Sequence, residues 1–482
     1  MFEKPREIFE RLVAEGILLH IFSVGGFILA FFLVARLMSE KRAPANTLAW
    51  LLSIVLVPYV GVPLYLILGT RKLRRLTARK TSVRTVLPAA AASPAKFANA
   101  PIAHTIVSAG AAPPVAGNTI RFLTTGEDAY AVLEQHIRTA RHTIHITTFI
   151  LGRDDTGRRL VQLLAARARE GVKVRVLLDA VGSMFTSGSF TSLLREAGGE
   201  VGRFLPVIPF TSRGSANLRN HRKIAVFDHC AAIIGGHNLA REYMGPDRDP
   251  KRWHDFGAAI EGPAAALLNE VFIADWCFAT HQSDTALRAE IPASVVASRG
   301  GTELQVVASG PDVPGDPLYE GIVSMIQRTD RSIWIVTPYF IPDDVLLRSL
   351  VVKARSGAEV TLIIPARSNH PLVDLARRHY VSELRQAGAR VLHFTPGMLH
   401  SKAIIVDDCV ALLGSANFDL RSLFVNFEIG VVVHTATDVQ AMKAWAVELT
   451  RHCHESKLRP SRKFRAFGNL LEEVSRLLAP LL

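Results

Sequence analysis

The strongest constraint on the fold of this chain of 482 residues is a short pattern that occurs twice. Residues 221–228 read HRKIAVFD and residues 400–407 read HSKAIIVD, so both have the form His-x-Lys, four residues, Asp. At the same distance after each Asp comes a Gly-x-x-Asn group, GGHN at 235–238 and GSAN at 414–417. One such pattern arises by chance, but two patterns with a shared flank predict that the chain consists of two similar halves.

The surrounding sequence predicts the same order of elements in both halves. Short β-branched runs alternate with helical patterns of about 10–15 residues, which is typical of α/β layers in which helices cover a sheet. The predicted elements are 119–123, 129–140, 143–150, 156–170 and 172–178 in the first half, and 303–308, 317–328, 332–336, 343–355 and 359–364 in the second. We therefore expect two tandem α/β domains, at 118–295 and 296–482, in a pseudo-twofold arrangement.

Each His-x-Lys pair precedes an otherwise apolar strand. Side chains two residues apart on a strand point to the same face, so His221 projects with Lys223, and His400 projects with Lys402. If a pseudo-twofold axis relates the halves, two imidazoles and two ammonium groups converge on one pocket. Burial of an ammonium group is costly unless an anion pairs with it. The pattern therefore predicts a site for an anionic substrate.

These side chains suit the transfer of a phosphodiester. One histidine can attack phosphorus and form a phosphohistidine, while the other protonates the leaving alkoxide. The lysines, with Asn238 and Asn417, can donate hydrogen bonds to the non-bridging oxygens as their charge grows. Because the lysines neutralise that charge, we expect neither a metal ion nor another cofactor. Asp228 and Asp407, at the far ends of the strands, are interpreted as catalytic-site anchors that orient or neutralise lysines across the site.

Two long apolar runs, at 17–38 and 47–69, precede the repeat. Each exceeds the roughly 20 residues that cross a hydrocarbon core, although a buried helical hairpin in a soluble domain is the alternative. Basic residues are concentrated at 71–80, which by the positive-inside rule places both termini and the catalytic domains in the cytoplasm. We expect a multi-pass anchor of the cell (inner) membrane at 1–80, kinked at Pro58 and Pro63, and a linker without apolar period at 81–117.

Composition narrows the class of partner. The chain has 56 Lys and Arg against 43 Asp and Glu, a formal net charge of +13, which favours an anionic partner such as nucleic acid or acidic lipid. No stripe of interleaved aromatic and basic residues is present for stacking single strands, so anionic membrane lipids are expected and nucleic acid is not. The four cysteines form no C-x-x-C pair, which argues against a disulfide scaffold or a zinc ribbon. The oligomeric state is not indicated.

The duplicated pattern resembles that of the phospholipase D superfamily, and nearly the whole chain resembles the bacterial cardiolipin synthases. The segments that carry the closer resemblance are NHRKI at 220–224, WHD at 253–255, PYFIP at 338–342, GSANFDLRS at 414–422 and NFE at 426–428. The resemblance implies two phospholipase D-like domains behind two transmembrane helices. It also implies that phosphatidylglycerol is the substrate.

The resemblance lends roles to matching residues. It implies that His221 is the nucleophile and His400 the general acid and base. It further implies that a downstream acidic residue holds each histidine ring, and by position these are Asp255 for His221 and Glu428 for His400.

The sequence departs from the family pattern at three places. Gly236 stands where a serine is expected, so one possible hydroxyl donor is missing from the first half. His254 replaces an arginine common among relatives, and two threonines at 147–148 replace an aromatic pair. These departures concern the details of substrate binding more than the class of reaction.

The reaction implied by the resemblance moves a phosphatidyl group from one phosphatidylglycerol to a second, giving cardiolipin and glycerol. Four readings stay open on the residues: this synthase, a membrane-bound phospholipase D hydrolase or a transphosphatidylase with another acceptor alcohol, a membrane-tethered nuclease, and a lipid-binding protein with an inactive site. The last is disfavoured because both motifs keep every His, Lys and Asp.

Overall fold

The computed structural model describes residues 29, 31–35, 44–65, 100–186, 188–206, 218–290, 297–313 and 315–455. The chain divides into two compact units, Met1–Arg75 with Ile208–Asn217, and Leu76–Val207 with Leu218–Leu482. In the first unit, helix α1 (Pro44–Leu56) and helix α2 (Pro58–Leu64) are separated at Val57. This break is the kink expected at Pro58, because proline lacks the amide hydrogen that would continue the helix.

No helix among the described residues is both long enough and apolar enough to cross a bilayer. The predicted span at 17–38 lies mostly outside the described residues, and so does the end of the span at 47–69, after Tyr65. The two transmembrane helices therefore stay predictions.

The second unit contains the predicted repeat. After helix α3 (Ala100–Ser108), the first half comprises β1 (Val115–Leu123), α4 (Gly126–Thr139), β2 (Thr143–Thr148), α5 (Asp155–Arg169), β3 (Lys173–Asp179), α6 (Ser192–Glu196), β4 (Glu200–Phe204), β5 (Ile224–Phe227), β6 (Ala231–Gly235), β7 (Gly257–Glu261), α7 (Pro263–Thr280) and α8 (Asp284–Ala289). The second half comprises β8 (Thr302–Ser309), α9 (Pro317–Arg328), β9 (Ser332–Val336), β10 (Phe340–Ile341), α10 (Asp344–Arg355), β11 (Glu359–Pro365), α11 (Pro371–Gln386), β12 (Arg390–Phe394), β13 (Ala403–Val406), β14 (Val410–Gly414), β15 (Phe418–Asp419), α12 (Leu420–Phe424), β16 (Glu428–Val433), α13 (Ala436–Thr450) and β17 (Cys453–Glu455).

Of the described strands, fifteen form one sheet that runs through both halves. Its order from one edge is β4-β3-β2-β5-β6-β7-β1 and then β8-β16-β14-β13-β9-β11-β12-β17. The second series repeats the first in mirrored order, and the halves meet where β1 and β8 pair antiparallel. This order is the one expected for two copies of one α/β unit related by a pseudo-twofold axis.

The two motif strands, β5 and β13, are buried on both faces. On β5, Ile224 and Val226 belong to a core cluster shared by both halves, whereas Ala225 and Phe227 belong to the core of the first half alone. Strand β13 alternates in the same way between the shared core and the core of the second half. Two-sided burial explains the nearly continuous apolar sequence of these strands and fixes the register of the polar residues before them.

The linker predicted at 81–117 is wrong over its second part. Residues 81–99 lie outside the described residues, but 100–108 form α3, and β1 begins at Val115, before the predicted domain start. Ile102 and Ile106, four residues apart on one helix face, are buried in the core of the second half. An apolar period is therefore present, and the segment before the first half packs against the second. The predicted boundary at 295/296 falls within residues 291–296, outside the described residues.

Candidate active site

Each motif histidine lies on a short backbone segment that pairs with the opposite half of the chain. The amide of His221 donates a hydrogen bond to the carbonyl oxygen of Phe427 (2.9 Å), and the amide of His400 donates to that of His254 (2.7 Å). Both contacts belong to isolated parallel bridges between the halves. Because Phe427 and His254 each precede an acidic residue, the bridges bring every motif beside a carboxylate of the other half.

The histidine–carboxylate pairs accordingly cross between the halves. Nδ1 of His221 lies 2.9 and 3.1 Å from the two carboxylate oxygens of Glu428, and Nδ1 of His400 lies 2.6 Å from Oδ2 of Asp255. The two acids are those predicted, but the predicted pairing of Asp255 with His221 and Glu428 with His400 is wrong. The reason is geometric, because the parallel bridges join the two halves instead of folding each half back on itself.

The electrostatics favour neutral imidazoles beside ionised carboxylates. Burial lowers the pKa of His221, and burial together with Lys402 lowers the pKa of His400 to about 3. Burial acts in the opposite direction on the acids, but His400 and Lys402 hold the pKa of Asp255 well below its usual range, and His221 holds that of Glu428 below its usual value. Each carboxylate fixes the imidazole hydrogen on Nδ1, which leaves the lone pair of the ring on Nε2.

The two lysines lie in the same site. Nζ of Lys223 donates to the carbonyl oxygen of His221 (2.8 Å). Nζ of Lys402 donates to the carbonyl oxygen of His400 and lies 2.9 and 3.2 Å from Nδ1 and Nε2 of its ring. Burial lowers the pKa of Lys223 to about 7 and that of Lys402 to about 8. Each lysine also lowers the pKa of the histidine of the other half, so the four predicted side chains face one another.

The residue after the first glycine of each Gly-x-x-Asn group sets the space for the carboxylate. In the second half, the Ser415 hydroxyl donates to Oε2 of Glu428 and accepts from the amide of Ile429 (3.0 Å). In the first half, a Cβ on Gly236 would lie 2.1 Å from Oδ1 of Asp255. The missing hydroxyl is therefore a steric requirement, because the shorter aspartate lies closer to the backbone than the glutamate does.

The two asparagines already take part in hydrogen bonds within the protein. Oδ1 of Asn238 accepts from the amide of Ile150 (3.1 Å), and its side chain hydrogen-bonds to Tyr243. The side chain of Asn417 hydrogen-bonds to Asp419. Each amide nitrogen carries two hydrogens, so a second N–H remains for a substrate oxygen. Their predicted role as phosphate ligands stays a prediction.

Asp228 and Asp407 do not contact the lysines. The carboxylate of Asp228 accepts from the amides of residues 141–143 at 2.7–2.9 Å, and that of Asp407 accepts from those of residues 330–332 at 2.7–2.8 Å. Both residues turn a hairpin with positive φ, 46° and 51°. The predicted anchoring of lysines across the site is wrong, because five residues of extended chain, about 16 Å, place each Asp at the end of its strand away from the site where both lysines lie.

A buried arginine that the sequence reasoning missed holds the first motif in place. Arg222, between the motif His and Lys, donates from Nη1 to Asp275 on α7 (2.6 Å) and from Nε to the carbonyl oxygen of Glu428 (3.0 Å). Asp275 also accepts from the side chain of Asn220 (2.9 Å). The signal was available, since residues 220 and 222 alternate with the motif pair and must face away from it.

Aromatic rings enclose both histidines. The ring of Phe149 meets His221 edge-on at 5.1 Å between centroids, and those of Tyr243 and Trp253 lie 5.1 and 5.4 Å from His400. The His254 side chain packs on Phe394. The bridge at His254 is formed by backbone atoms, so it does not depend on whether this residue is a histidine or the arginine common among relatives. Among the described residues, no group of three or more His, Cys, Asp and Glu is arranged to hold a metal ion.

Comparison with known proteins decides the family. Residues 133–276 and 322–450, one range in each half, match the family described as "Cardiolipin synthase, PLD-like domain". A curated cardiolipin synthase of Geobacillus thermodenitrificans is 34% identical over 481 residues, which cover 97% of this chain and 95% of that protein. The chain belongs to the cardiolipin synthase family. Residues 27–69 also match the family described as "Phospholipase_D-nuclease N-terminal".

Other relatives agree with this membership. A protein of Pseudomonas entomophila named cardiolipin synthase A is 32% identical over 456 residues, covering 92% of this chain and 94% of that protein. Among solved structures, phosphatidylserine synthase of Haemophilus influenzae Rd KW20 has a TM-score of 0.59 at 16% identity and covers 75% of this chain and 95% of its own, which shows a shared fold. Membership of the cardiolipin synthase family confirms the predicted enzyme class, a phospholipase D-type phosphatidyl transferase acting on phospholipid.

Proposed function

We propose that this protein is a cardiolipin synthase that transfers a phosphatidyl group from one phosphatidylglycerol to the terminal hydroxyl of another and releases glycerol. The observation that carries the proposal is the crossed arrangement of His221 with Glu428 and His400 with Asp255. It supplies two oriented neutral imidazoles in one site, which is what a two-step displacement through a covalent intermediate requires.

In the first step, Nε2 of His221 attacks phosphorus and the bond from phosphorus to the glycerol oxygen breaks. His400 gives a proton to that oxygen, and glycerol leaves. Its pKa of about 3 in the unliganded site is too low for a proton donor at neutral pH. The anionic phosphodiester raises this pKa on binding, because an opposite charge favours imidazolium. Proton uptake therefore accompanies substrate binding.

In the second step, His400 removes the proton from the hydroxyl of the incoming phosphatidylglycerol. That oxygen attacks phosphorus, the bond between phosphorus and Nε2 of His221 breaks, and cardiolipin forms. One phosphodiester is broken and one is made over the whole cycle, so no external energy source is needed. His221 is assigned as the nucleophile by the family resemblance, and the two lysines stabilise the charge on the non-bridging oxygens.

The choice of phosphatidyl transfer over hydrolysis depends on which hydroxyl reaches the phosphohistidine. A site held at the membrane surface meets lipid head groups at high local concentration and can exclude water. We include in the proposal the two membrane spans at 17–38 and 47–69, with the catalytic unit on the cytoplasmic side of the cell membrane. The match of residues 27–69 to the N-terminal family supports an association with the membrane.

Product analysis tests the function. Membranes containing the protein are incubated with phosphatidylglycerol labelled in its terminal glycerol and in its acyl chains. Cardiolipin together with free labelled glycerol is expected from the wild type and from neither His221→Ala nor His400→Ala. Phosphatidic acid as the only lipid product would show a hydrolase instead, and cleavage of labelled single-stranded DNA would show a nuclease.

Trapping the intermediate tests the roles of the histidines. Acyl-labelled phosphatidylglycerol is added briefly, the protein is denatured at alkaline pH, and the labelled peptide is identified. Label on His221 is expected, and label on His400 would reverse the assignment.

Washing membranes with alkaline carbonate tests the anchor, because a protein with two spans stays in the pellet, whereas a peripheral one is released.

A further inference from the structure

One buried arginine next to the first motif has donors that nothing in the protein uses. Arg219 is only 3% exposed, yet its Nε and Nη2 have no hydrogen-bond partner in the part of the chain that the structure describes. The residue in the equivalent position of the second motif is Met398. Leaving charged donors buried and unpaired is unfavourable. A ligand that accepts hydrogen bonds from these donors would remove that cost. The first half has an arginine at this position and the second half does not.

The rest of the guanidinium is held weakly. Nη1 of Arg219 donates to the carbonyl oxygen of Leu205 (3.2 Å) and lies 3.5 Å from Oδ1 of Asp179. The carboxylate of Asp179 already accepts from three backbone amides at 2.9–3.0 Å. A second arginine, Arg421, lies close enough to lower the pKa of Arg219 beyond the effect of burial. The nearby Asp419 accepts from the Ser422 amide (2.7 Å) at the start of α12. Both acids thus already accept hydrogen bonds from other groups of the protein.

The position of Arg219 relates it directly to the reacting phosphate. Residues 219, 221 and 223 share one face of an extended segment, because Asn220 and Arg222 both bind Asp275 on the other side. Two residues of extended chain separate the α-carbons of Arg219 and His221 by about 7 Å. Asp179, which touches Arg219, is also close enough to Lys223 to raise its pKa. The unpaired donors therefore lie beside the site of phosphohistidine formation and not within it.

We propose that Arg219, with Arg421 beside it, binds the phosphate of the acceptor lipid. The inference rests on the proposed function, in which a second phosphatidylglycerol enters after glycerol has left. The attacking hydroxyl of that lipid is one glycerol backbone away from its own phosphate. With the phosphate on Arg219, the hydroxyl oxygen reaches the phosphorus on His221, forms the new phosphorus–oxygen bond as the phosphorus–nitrogen bond breaks, and passes its proton to His400.

Acceptor competition tests this subsite. The purified full-length protein in phosphatidylglycerol micelles is given labelled glycerol, and two rates are measured: cardiolipin formation, and exchange of the label into phosphatidylglycerol. Both reactions pass through the same phosphohistidine, but only the first uses an acceptor with a phosphate. Arg219→Met, which introduces the residue of the other half, is expected to lower the ratio of cardiolipin formation to exchange by about 10- to 100-fold, the effect of losing hydrogen bonds to a charged group. Arg219→Lys is expected to restore part of this ratio.

A matched control and a second acceptor complete the design. Arg175→Met removes a buried arginine from the opposite end of β3, where it binds Glu290 and Glu200, and is expected to leave the ratio unchanged. In the wild type, glycerol 3-phosphate is expected to react with the phosphohistidine at least about tenfold faster than glycerol at equal concentration. An unchanged ratio in Arg219→Met, or equal use of the two soluble acceptors, overturns the subsite. A wild type that makes no cardiolipin contradicts the proposed function instead.

Discussion

Nδ1 of His221 in the first half lies 2.9 Å from a carboxylate oxygen of Glu428 in the second half. The reciprocal contact joins His400 of the second half to Asp255 of the first. Neither half holds a complete histidine–carboxylate pair, so the site exists only where the halves meet. The shared core around β1 and β8 fixes the distance between those pairs.

Separate loss of the two carboxylates should affect the formation and the decay of phosphohistidine to different extents. Glu428→Gln removes the charge that orients His221, so the burst of labelled phosphohistidine should slow by about 10²- to 10⁴-fold, in line with an oriented catalytic imidazole. Asp255→Asn should instead impair proton transfer by His400, which serves both steps, so phosphohistidine should form more slowly and should also decay slowly once formed. Rapid-quench measurement of the intermediate distinguishes the two. If both variants altered only its decay, the crossed assignment of roles would be wrong.

The space beside each carboxylate predicts opposite tolerance at two equivalent positions. Ser415→Ala removes one hydrogen bond to Glu428, and a loss of about tenfold in kcat/KM is expected. Gly236→Ser should abolish activity, because its Cβ would lie 2.1 Å from Oδ1 of Asp255. Activity and thermal unfolding of both variants are measured together. Full activity of Gly236→Ser would show that Asp255 has room that the structure does not provide.

The pKa values of the two motif lysines predict how activity changes at alkaline pH. They stabilise the phosphate only when protonated, and the pKa values of Lys223 and Lys402 are lowered to about 7 and about 8. In the unliganded enzyme, where His400 must also take up a proton, kcat/KM should therefore fall more steeply as pH rises through about 7 to 8. Bound phosphodiester raises both values, so the fall in kcat should occur at higher pH.

The same profile constrains the histidine. The pKa of His221 is lowered from 6.5, so the nucleophile should remain neutral, and kcat/KM should not decline, until pH falls below that value. The check compares the pH profile of the wild type with that of Lys223→Arg, in which the side chain at position 223 stays protonated. A profile of kcat/KM that stays flat up to pH 9 contradicts the role given to the lysines.

Asp228 and Asp407 should matter for stability and not for chemistry. Each accepts from three backbone amides, so Asp228→Ala or Asp407→Ala should lower the free energy of unfolding by about 1–3 kcal/mol. The phosphohistidine burst of the folded fraction should stay at the wild-type rate. Asp228→Asn is the control, since asparagine retains an acceptor and tolerates positive φ. Urea unfolding measures the free energy of unfolding. Loss of the burst in folded Asp407→Ala would show that Asp407 has a catalytic role.

The sequence predicted the repeat because its signals are local. The helix at 317–328 and the strand at 332–336 lie where the apolar spacing placed them. Two residues of extended chain were enough to bring His221 together with Lys223. Which histidine pairs with Asp255 and which with Glu428 could not be derived, because this depends on which backbone segments cross between the halves. The role of Asp228 was missed for a related reason, since its partners at 141–143 are distant in sequence.

The exchange of Glu428 and Asp255 between the halves has a consequence for inheritance. Residues that serve one histidine are encoded in the half of the gene that carries the other. A chimera made by joining the first half of this chain to the second half of a relative would separate both histidines from the carboxylates with which they evolved. Compatible substitutions must therefore arise together in both halves. A fragment that contains one motif could regain function only by associating with the fragment that contains the other.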